Sequence, residues 1–452
     1  MIQSRNIEVQ PSNDEPTLLV GLVCSGTLRS EIEDHLDELE RLVDTAGGRV
    51  VGRLVQERPA PDPATMVGSG FVAKVAEFAD ENKVQSVVFD EDLTASQIRN
   101  LEREMPEYTK ILDRAAVILD IFAARARSRE ARTQVELAQL NFLLPRLTRR
   151  WGHLSRQAGG IGTRGVGETQ LEIDRRLVSK RIAQLKGKLA IIERDRRLRR
   201  DRRRDLPSVA LVGYTNAGKS SLFRRLAKAK VLVEDRLFAT IDPRARRASL
   251  GSDVTVVMTD TVGFIRKLPH DLVAPFRSTL EEAVDADLVL HVVDVSHPAW
   301  EEHLRVGDEV LEGLGVDREG ELIVLNKIDL VGGRRPLAPG GRPAVAVSAL
   351  SGEGLSHLRS AIRSALLTGP GVAILRVPLE EAEMVQRAVN LPHQLARRFR
   401  HDTVELAVRV DDWMLTENGL HGFRVAEWGH VDTQPEDPDG EEREMEDSDA
   451  HL

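Results

Sequence analysis

The chain has 452 residues, 41% of them hydrophobic and 30% charged, with a formal net charge of -9. That length suits about three domains with separate cores, and the single cysteine, Cys24, excludes an internal disulfide. No Cys-x-x-Cys pair or histidine cluster suggests zinc, no apolar run reaches the roughly 18 residues of a membrane span, and the first residues lack the apolar core of a signal peptide. A cytoplasmic protein is expected, with peripheral association with a membrane left open. The net charge hides an asymmetry: residues 121–206 carry 23 Lys/Arg against 9 Asp/Glu, whereas 430–452 carry 10 acids against Arg443 alone.

Residues 1–122 alternate strand and helix signals. The apolar runs 18–24 and 49–55 read as strands around an amphipathic helix carrying Leu36, Leu39, Leu42 and Val43, closed by Gly47 and Gly48. After the Pro-rich loop 59–63 the pattern predicts a helix to about Asn82, a strand over 84–89, a helix near 97–105 and a strand over 116–121. Such alternation implies a parallel sheet with helices on its faces. Cys24 is expected in its core, and Gly68 and Gly70 read as a plain turn at a helix start, with anion binding there the alternative.

Residues 123–205 turn to helix and positive charge. Leu137, Leu140, Leu144 and Leu147 recur at three-four spacing, as do Val178, Ile182, Leu185, Leu189 and Ile192, which predicts two helices packed as an antiparallel hairpin. Five glycines fall in the nine residues 159–167, so the loop between the helices sits at the tip. Glycine alone allows a flexible connector. Arg149, Arg150, Trp151, His153 and Arg156 before the loop, with Gly162, Arg164 and Gly165 inside it, instead suit close approach to an RNA backbone, with cations for phosphates and aromatics for base stacking.

The segment 206–368 carries the chemistry. Gly213, Tyr214, Thr215, Asn216, Ala217, Gly218, Lys219 and Ser220, followed by Ser221, lie between an apolar strand at 208–212 and a helix start near Leu222. In that context the glycine loop and helix N-terminus cradle phosphates, Lys219 reaches the β and γ phosphates, and Ser220 holds magnesium. Phe238, Ala239 and Thr240 form a candidate switch in which Thr240 completes the magnesium shell. The strand 254–260 ends in Asp260, placed to reach the metal, and Gly263 follows, whose N–H can sense a γ-phosphate. Lys219, Thr240 and Gly263 are thus the candidate catalytic residues, and Ser220, Thr240 and Asp260 the candidate metal ligands. After a strand at 322–325 come Asn326, Lys327 and Asp329. A carboxylate accepts two hydrogen bonds from guanine N1 and N2, donors that adenine lacks, so this turn selects GTP over ATP. Ser348, Ala349 and Leu350, after a strand at 344–347, would give the base oxygen a backbone donor.

The remaining chain reads as a βαβ-type module over 369–428, with strands at 373–377 and 403–410 flanking a helical stretch over 380–398. Trp413 and Trp428 are expected in its core or at a domain contact, and the acidic tail 429–452 is expected to be disordered.

Together these motifs resemble the HflX-type GTPases, a family within the translation-associated P-loop GTPases. The resemblance rests on the glycine loop running through Glu168, Thr169 and Gln170 to Arg175 and Arg176, on the phosphate loop, on Phe238 to Thr240, on Asp260 to Phe264, on Asn326 to Asp329 and on Ser348 to Leu350. It implies an α/β multidomain fold and the cofactors GTP and Mg²⁺. It also implies binding of the large ribosomal subunit and its RNA, and GTP-dependent splitting of stalled or idle ribosomes with hydrolysis stimulated by the ribosome. Two positions depart from the family pattern: Phe71 stands where a lysine is usual after the N-terminal glycine pair, so no ATP site carries over there, and Asp242, Pro243, Arg244, Ala245 and Arg246 lack the usual threonines. Phe264 directly follows the switch glycine, where Ras-like enzymes use a glutamine to orient water, which predicts slow intrinsic turnover. The alternative is a nucleotide-gated RNA- or ribosome-binding module whose output is occupancy. No self-complementary seam stands out, so a monomer is expected.

Overall fold

The computed structural model describes residues 15–147, 170–201, 206–227, 237–238, 244–251, 254–267, 282–316, 320–332, 336–369 and 371–428. The chain divides after Leu366 into two compact units. The first begins with β1 (Glu15–Val23), α1 (Arg29–Ala46), β2 (Gly48–Glu57), α2 (Ser69–Glu81), β3 (Ser86–Phe89), α3 (Ala95–Glu104), β4 (Lys110–Asp113) and α4 (Arg114–Arg125). The strands pair in the order β2-β1-β3-β4, all parallel, as the alternation predicts. Burial on both faces explains the unbroken apolar run of β1. Leu18, Val20 and Leu22 pack with α2 and α3 residues such as Val72, Val75 and Leu101, while Leu19 packs with α1 and α4. Cys24 is only half-buried, against the first of these layers.

The strand expected over 116–121 is instead part of α4, and the last strand of the sheet, β4, precedes it. A continuous apolar run fits a buried strand and a buried helix equally well. Asp113 decides for the helix, because its carboxylate accepts the Ala116 N–H at 2.9 Å and caps the first turn.

Helices α5 (Arg129–Leu143) and α6 (Gln170–Asp201) pack along the expected seam, with Leu137, Leu140 and Leu144 against Val178, Ile182, Leu185 and Leu189. Arg181 and Glu136 make a two-pronged ion pair across it at 2.6 and 2.9 Å. Arg149, Arg150, Trp151, His153, Arg156, Gly162, Arg164 and Gly165, the candidate RNA contacts, lie outside the described residues, as does the acidic tail.

The third layer of the first unit contains β5 (Ser208–Gly213), α7 (Lys219–Leu226), β6 (Arg244–Ser249), β7 (Thr255–Asp260), β8 (Leu288–Asp294), α8 (Trp300–Leu314), β9 (Glu321–Asn326), β10 (Ala344–Ala346) and α9 (Leu355–Thr368). The order is β10-β9-β8-β5-β7-β6, parallel except for β6, which runs antiparallel to β7 at the edge. Because β5 lies between β7 and β8, the strand order reverses beside it. Its carboxyl end is therefore the switch point at which open α/β sheets bind ligands.

The second unit corrects the sequence reading. Its strands β11 (Val372–Pro378), β12 (Gln394–Phe399), β13 (Thr403–Arg409) and β14 (Arg424–Val425) form an antiparallel sheet in the order β12-β13-β11-β14, with helices α10 (Ala382–Val389) and α11 (Asp412–Glu417). The expected βαβ module fails because the end of 380–398, from Gln394, is strand. Leu391 and Leu395 pack in the core around a break at Asn390, and β12 then turns back onto β13. Trp413 is 60% exposed on the outer face of the short α11, so it is not a core residue, and Trp428 is half-buried with the Arg398 guanidinium 5.1 Å from its ring.

Candidate nucleotide site

The loop between β5 and α7 adopts a backbone that only its own sequence permits. Gly213 has φ +140° and Gly218 φ +92°, and Asn216, a residue that tolerates the left-handed region, has φ 61°. A Cβ on Gly213 would lie 2.1 Å from Val292 O of β8, and one on Gly218 would lie 2.2 Å from Asn326 Nδ2. The loop is thus pressed against the two neighbouring strand ends.

Lys219 begins α7 and is buried. Its ammonium donates to Gly213 O at 3.0 Å and Tyr214 O at 2.7 Å, which folds the side chain back over the loop. Burial pushes its pKa down to about 8, against the opposing pull of Asp260. A lysine so placed gains most from an anion that restores its charge balance. Ser220 donates to Asp260 Oδ2 at 2.7 Å, so the hydroxyl of α7 and the carboxylate of β7 converge beside it. These hard oxygen donors fit a magnesium ion, which takes one or two protein oxygens and keeps its remaining positions for phosphate and water.

Gly263 lies against the loop. A Cβ there would meet Thr215 Cα at 2.8 Å and Lys219 Nζ at 3.0 Å. Two backbone hydrogen bonds fix this approach, Thr215 N–H to Phe264 O at 2.7 Å and Phe264 N–H to Gly213 O at 2.9 Å. The Phe264 ring is buried, edge-on to His291, so it offers nothing polar to a water. Thr261 donates to Leu211 O at 2.7 Å and joins the two strand ends.

On the base side, Asn326 is buried at the end of β9. Its Nδ2 donates to Ala217 O at 2.8 Å and its Oδ1 accepts Ala349 N–H at 3.0 Å, tying the phosphate loop to the loop after β10. Lys327 takes the left-handed conformation, φ 66°, and pairs with Asp294 at 2.7 Å. That turn leaves Asp329 exposed on a short 3-10 helix. Ser348 is buried, accepting Ser351 N–H at 3.0 Å, and Leu350 is exposed.

The structure thus brings together thirteen of the residues singled out in the sequence: Gly213 to Ser220, Asp260, Gly263, Asn326, Ala349 and, through its hydrogen bond within the same loop, Ser348. It does not bring Phe238 to them. That ring is buried edge-to-face on Phe122, 4.6 Å between centroids, in the core shared with α1 and α4, so its side chain cannot face a nucleotide in this conformation. Thr240 lies outside the described residues. Ser221 is half-buried behind Ser220 on α7.

Sequence reasoning missed the side-chain role of Tyr214. Its buried ring stacks on His303 at 3.9 Å, its hydroxyl donates to Glu38 of α1 at 2.9 Å, and that same oxygen accepts the Arg266 N–H at 2.8 Å. Burial and Glu38 hold the phenol well above its usual pKa, and burial holds His303 down at about 3. Lys267, next along the chain, bonds to Asp90 at 2.6 Å and Glu91 at 2.7 Å at the end of β3. The segment after Gly263 is therefore fastened to the N-terminal sheet. A buried tyrosine in a glycine loop was the available signal, but its partner is 176 positions away in sequence.

A glycine loop at the switch point of a parallel sheet, a buried lysine at the helix start, a strand-end carboxylate on the loop serine and an Asn-Lys-x-Asp turn define a P-loop GTPase. Three family models match in order along the chain: GTP-binding GTPase N-terminal over residues 33–123, GTP-binding GTPase middle region over 125–203, and 50S ribosome-binding GTPase over 208–327. The GTPase HflX of Caldanaerobacter subterraneus subsp. tengcongensis is 45% identical over 399 residues, covering 88% of this chain and 90% of that protein. The GTPase HflX of Escherichia coli strain K12 is 42% identical over 396 residues, covering 86% and 92%. A GTP-binding protein from Sulfolobus solfataricus, solved in complex with GDP, shares 24% identity over 77% of this chain and 98% of its own, with a TM-score of 0.41. The chain belongs to the HflX family of GTPases. Among the described residues no helix is long and apolar enough to cross a membrane.

Proposed function

We propose that this GTPase binds the large ribosomal subunit in its GTP-bound form, that the subunit stimulates hydrolysis, and that the cycle splits stalled or idle ribosomes. The observation that carries the dependence on a partner is Phe264. A buried phenyl ring follows the switch glycine where a water-orienting side chain is needed, so this position does not orient the attacking water.

These roles are part of the proposal. Lys219, freed to exchange its carbonyl partners for phosphate oxygens, would stabilise charge on the β and γ phosphates. Ser220 and Asp260, with Thr240, would hold Mg²⁺, which supplies charge neutralisation on the transferring phosphoryl group. Gly263, already against Lys219, would turn its N–H to the γ-phosphate. Asp329 would accept from guanine N1 and N2, with Asn326 and the stem of Lys327 shaping the base pocket. Ordering of the switches by a partner can be worth roughly 10³ to 10⁵ in rate. The RNA contact is assigned to Arg149, Arg150, Arg156, Gly162, Arg164 and Gly165. The match of residues 208–327 to a family model described as a 50S ribosome-binding GTPase supports the same partner.

The test is GTP turnover by the purified full-length protein, with and without large ribosomal subunits, at one fixed salt concentration. Strong stimulation is expected. Stable binding with unchanged turnover would replace this reading with that of a nucleotide-gated module acting by occupancy.

A further inference from the structure

The base loop is tied to the phosphate helix by a side chain that none of the motifs includes. Arg225, in the last turn of α7, donates Nε–H to Ala349 O at 3.2 Å and Nη2–H to Leu350 O at 2.6 Å, while its own carbonyl accepts from Arg359 Nη2 at 3.3 Å. One edge of a guanidinium presents two parallel N–H groups, and two consecutive carbonyls turned the same way accept both.

The consequence lies in the amides. A trans peptide holds its C=O and N–H on opposite sides. Fixing Ala349 O on Arg225 therefore aims the Leu350 N–H away from α7, and fixing Leu350 O aims the Ser351 N–H away as well, where it reaches Ser348 Oγ at 3.0 Å. The Ala349 N–H is turned to Asn326 Oδ1 at 3.0 Å, and Asn326 also holds Ala217 of the phosphate loop. The loop is thus held by its carbonyls on one side and by its amides on the other.

We propose that Arg225 is a positioning residue for the guanine base: by fixing these two carbonyls it holds the loop amides, the Leu350 N–H above all, toward the base oxygen O6, and so sets how long a guanine nucleotide stays bound. This rests on the reading of Asn326, Asp329 and the 348–350 loop as the base site. A lysine at 225 keeps the charge but, as a point donor on a flexible stem, does not span both carbonyls.

The experiment compares full-length wild type, R225A and R225K in two measurements. One is the release rate of fluorescently labelled GDP. The other is equilibrium binding of GDP, inosine diphosphate, which lacks the 2-amino donor to Asp329, and 2-aminopurine riboside diphosphate, which lacks O6 and with it the N1 proton. Wild type is expected to bind both analogues more weakly than GDP. In R225A, GDP release rises about tenfold, the discrimination against the 2-aminopurine nucleotide shrinks to the part owed to its missing N1 proton, and that against inosine diphosphate persists. R225K follows R225A, which keeps the test decisive if R225A does not fold. Equal weakening of GDP and the 2-aminopurine nucleotide in the variants would reduce Arg225 to general structural support and overturn the proposal. Failure of wild type itself to discriminate against either analogue would overturn the base-site reading, and the proposal with it.

Discussion

The first unit contains two sheets, one parallel and one parallel but for its edge strand β6, in each of which a glycine-containing turn leads into a helix, and only one of these turns has the geometry of a phosphate cradle. At the start of α2, Gly68 has ordinary extended angles, φ -67° and ψ 151°, and its N–H is already taken by Gln56 Oε1 at 2.8 Å. A Cβ on Gly70 would meet nothing within 4 Å, and Phe71 follows. At the start of α7, two glycines at positive φ are clamped against β8 and Asn326, and a buried lysine closes the loop. The contrast shows that glycine near a helix start is not the determinant. What matters is a backbone forced into the left-handed region by close neighbours, a cation that shares the burial, and a position at the switch point of the sheet.

Breaking the cation should have the largest effect. K219A removes the charge facing the phosphates, and GTP turnover is expected to fall by roughly 10² to 10³ or more, read by phosphate release at saturating nucleotide. Next come the glycines. G213A and G218A force a Cβ into backbone or into Asn326, and each should cost about 2–4 kcal/mol of folding stability, measured by urea unfolding, together with loss of GTP binding.

A smaller effect follows from Lys219 itself. Its folded pKa is about 8, below its ordinary value of 10.5. Between those values the unfolded chain binds the additional proton, so the nucleotide-free protein gains stability from this group as pH rises from about 8 toward 10.5. Phosphate binding favours the charged lysine and runs the other way: GTP affinity should fall by up to about tenfold per pH unit above 8. Calorimetric titration across pH 7 to 10 reads this directly, and K219A should flatten the profile. The smallest change is expected at the other turn, where G70A should alter stability by no more than about 0.5 kcal/mol and leave GTP turnover unchanged.

The parts of the site legible in the sequence were those whose geometry is local. Gly213 to Ser220, Asp260 and Asn326 announce themselves because strand, loop and helix follow one another within a few residues. The hairpin seam of Leu137, Leu140 and Leu144 was legible for the same reason, since helical periodicity is a short-range signal. What escaped depends on distant partners. Strand β8 and edge strand β6 carry no motif, yet β8 supplies the Val292 carbonyl that forces Gly213. Tyr214 gains its role from Glu38, and Phe238 is drawn into the core by Phe122. In 116–121 the apolar run was recognised but its conformation was not, because an all-apolar stretch has no period to distinguish strand from helix. In 380–398 the break at Asn390 hid a strand inside an expected helix.

The measurement that bears most directly on the contrast between the two turns is equilibrium binding of GTP and of ATP to wild-type and K219A protein, with the number of nucleotides per chain determined for each. One GTP per chain in wild type, bound much more weakly by K219A, with no ATP bound by either, is the expected result. Binding of ATP that survives in K219A would contradict it, since a second phosphate site would then exist where Phe71 follows the N-terminal glycines.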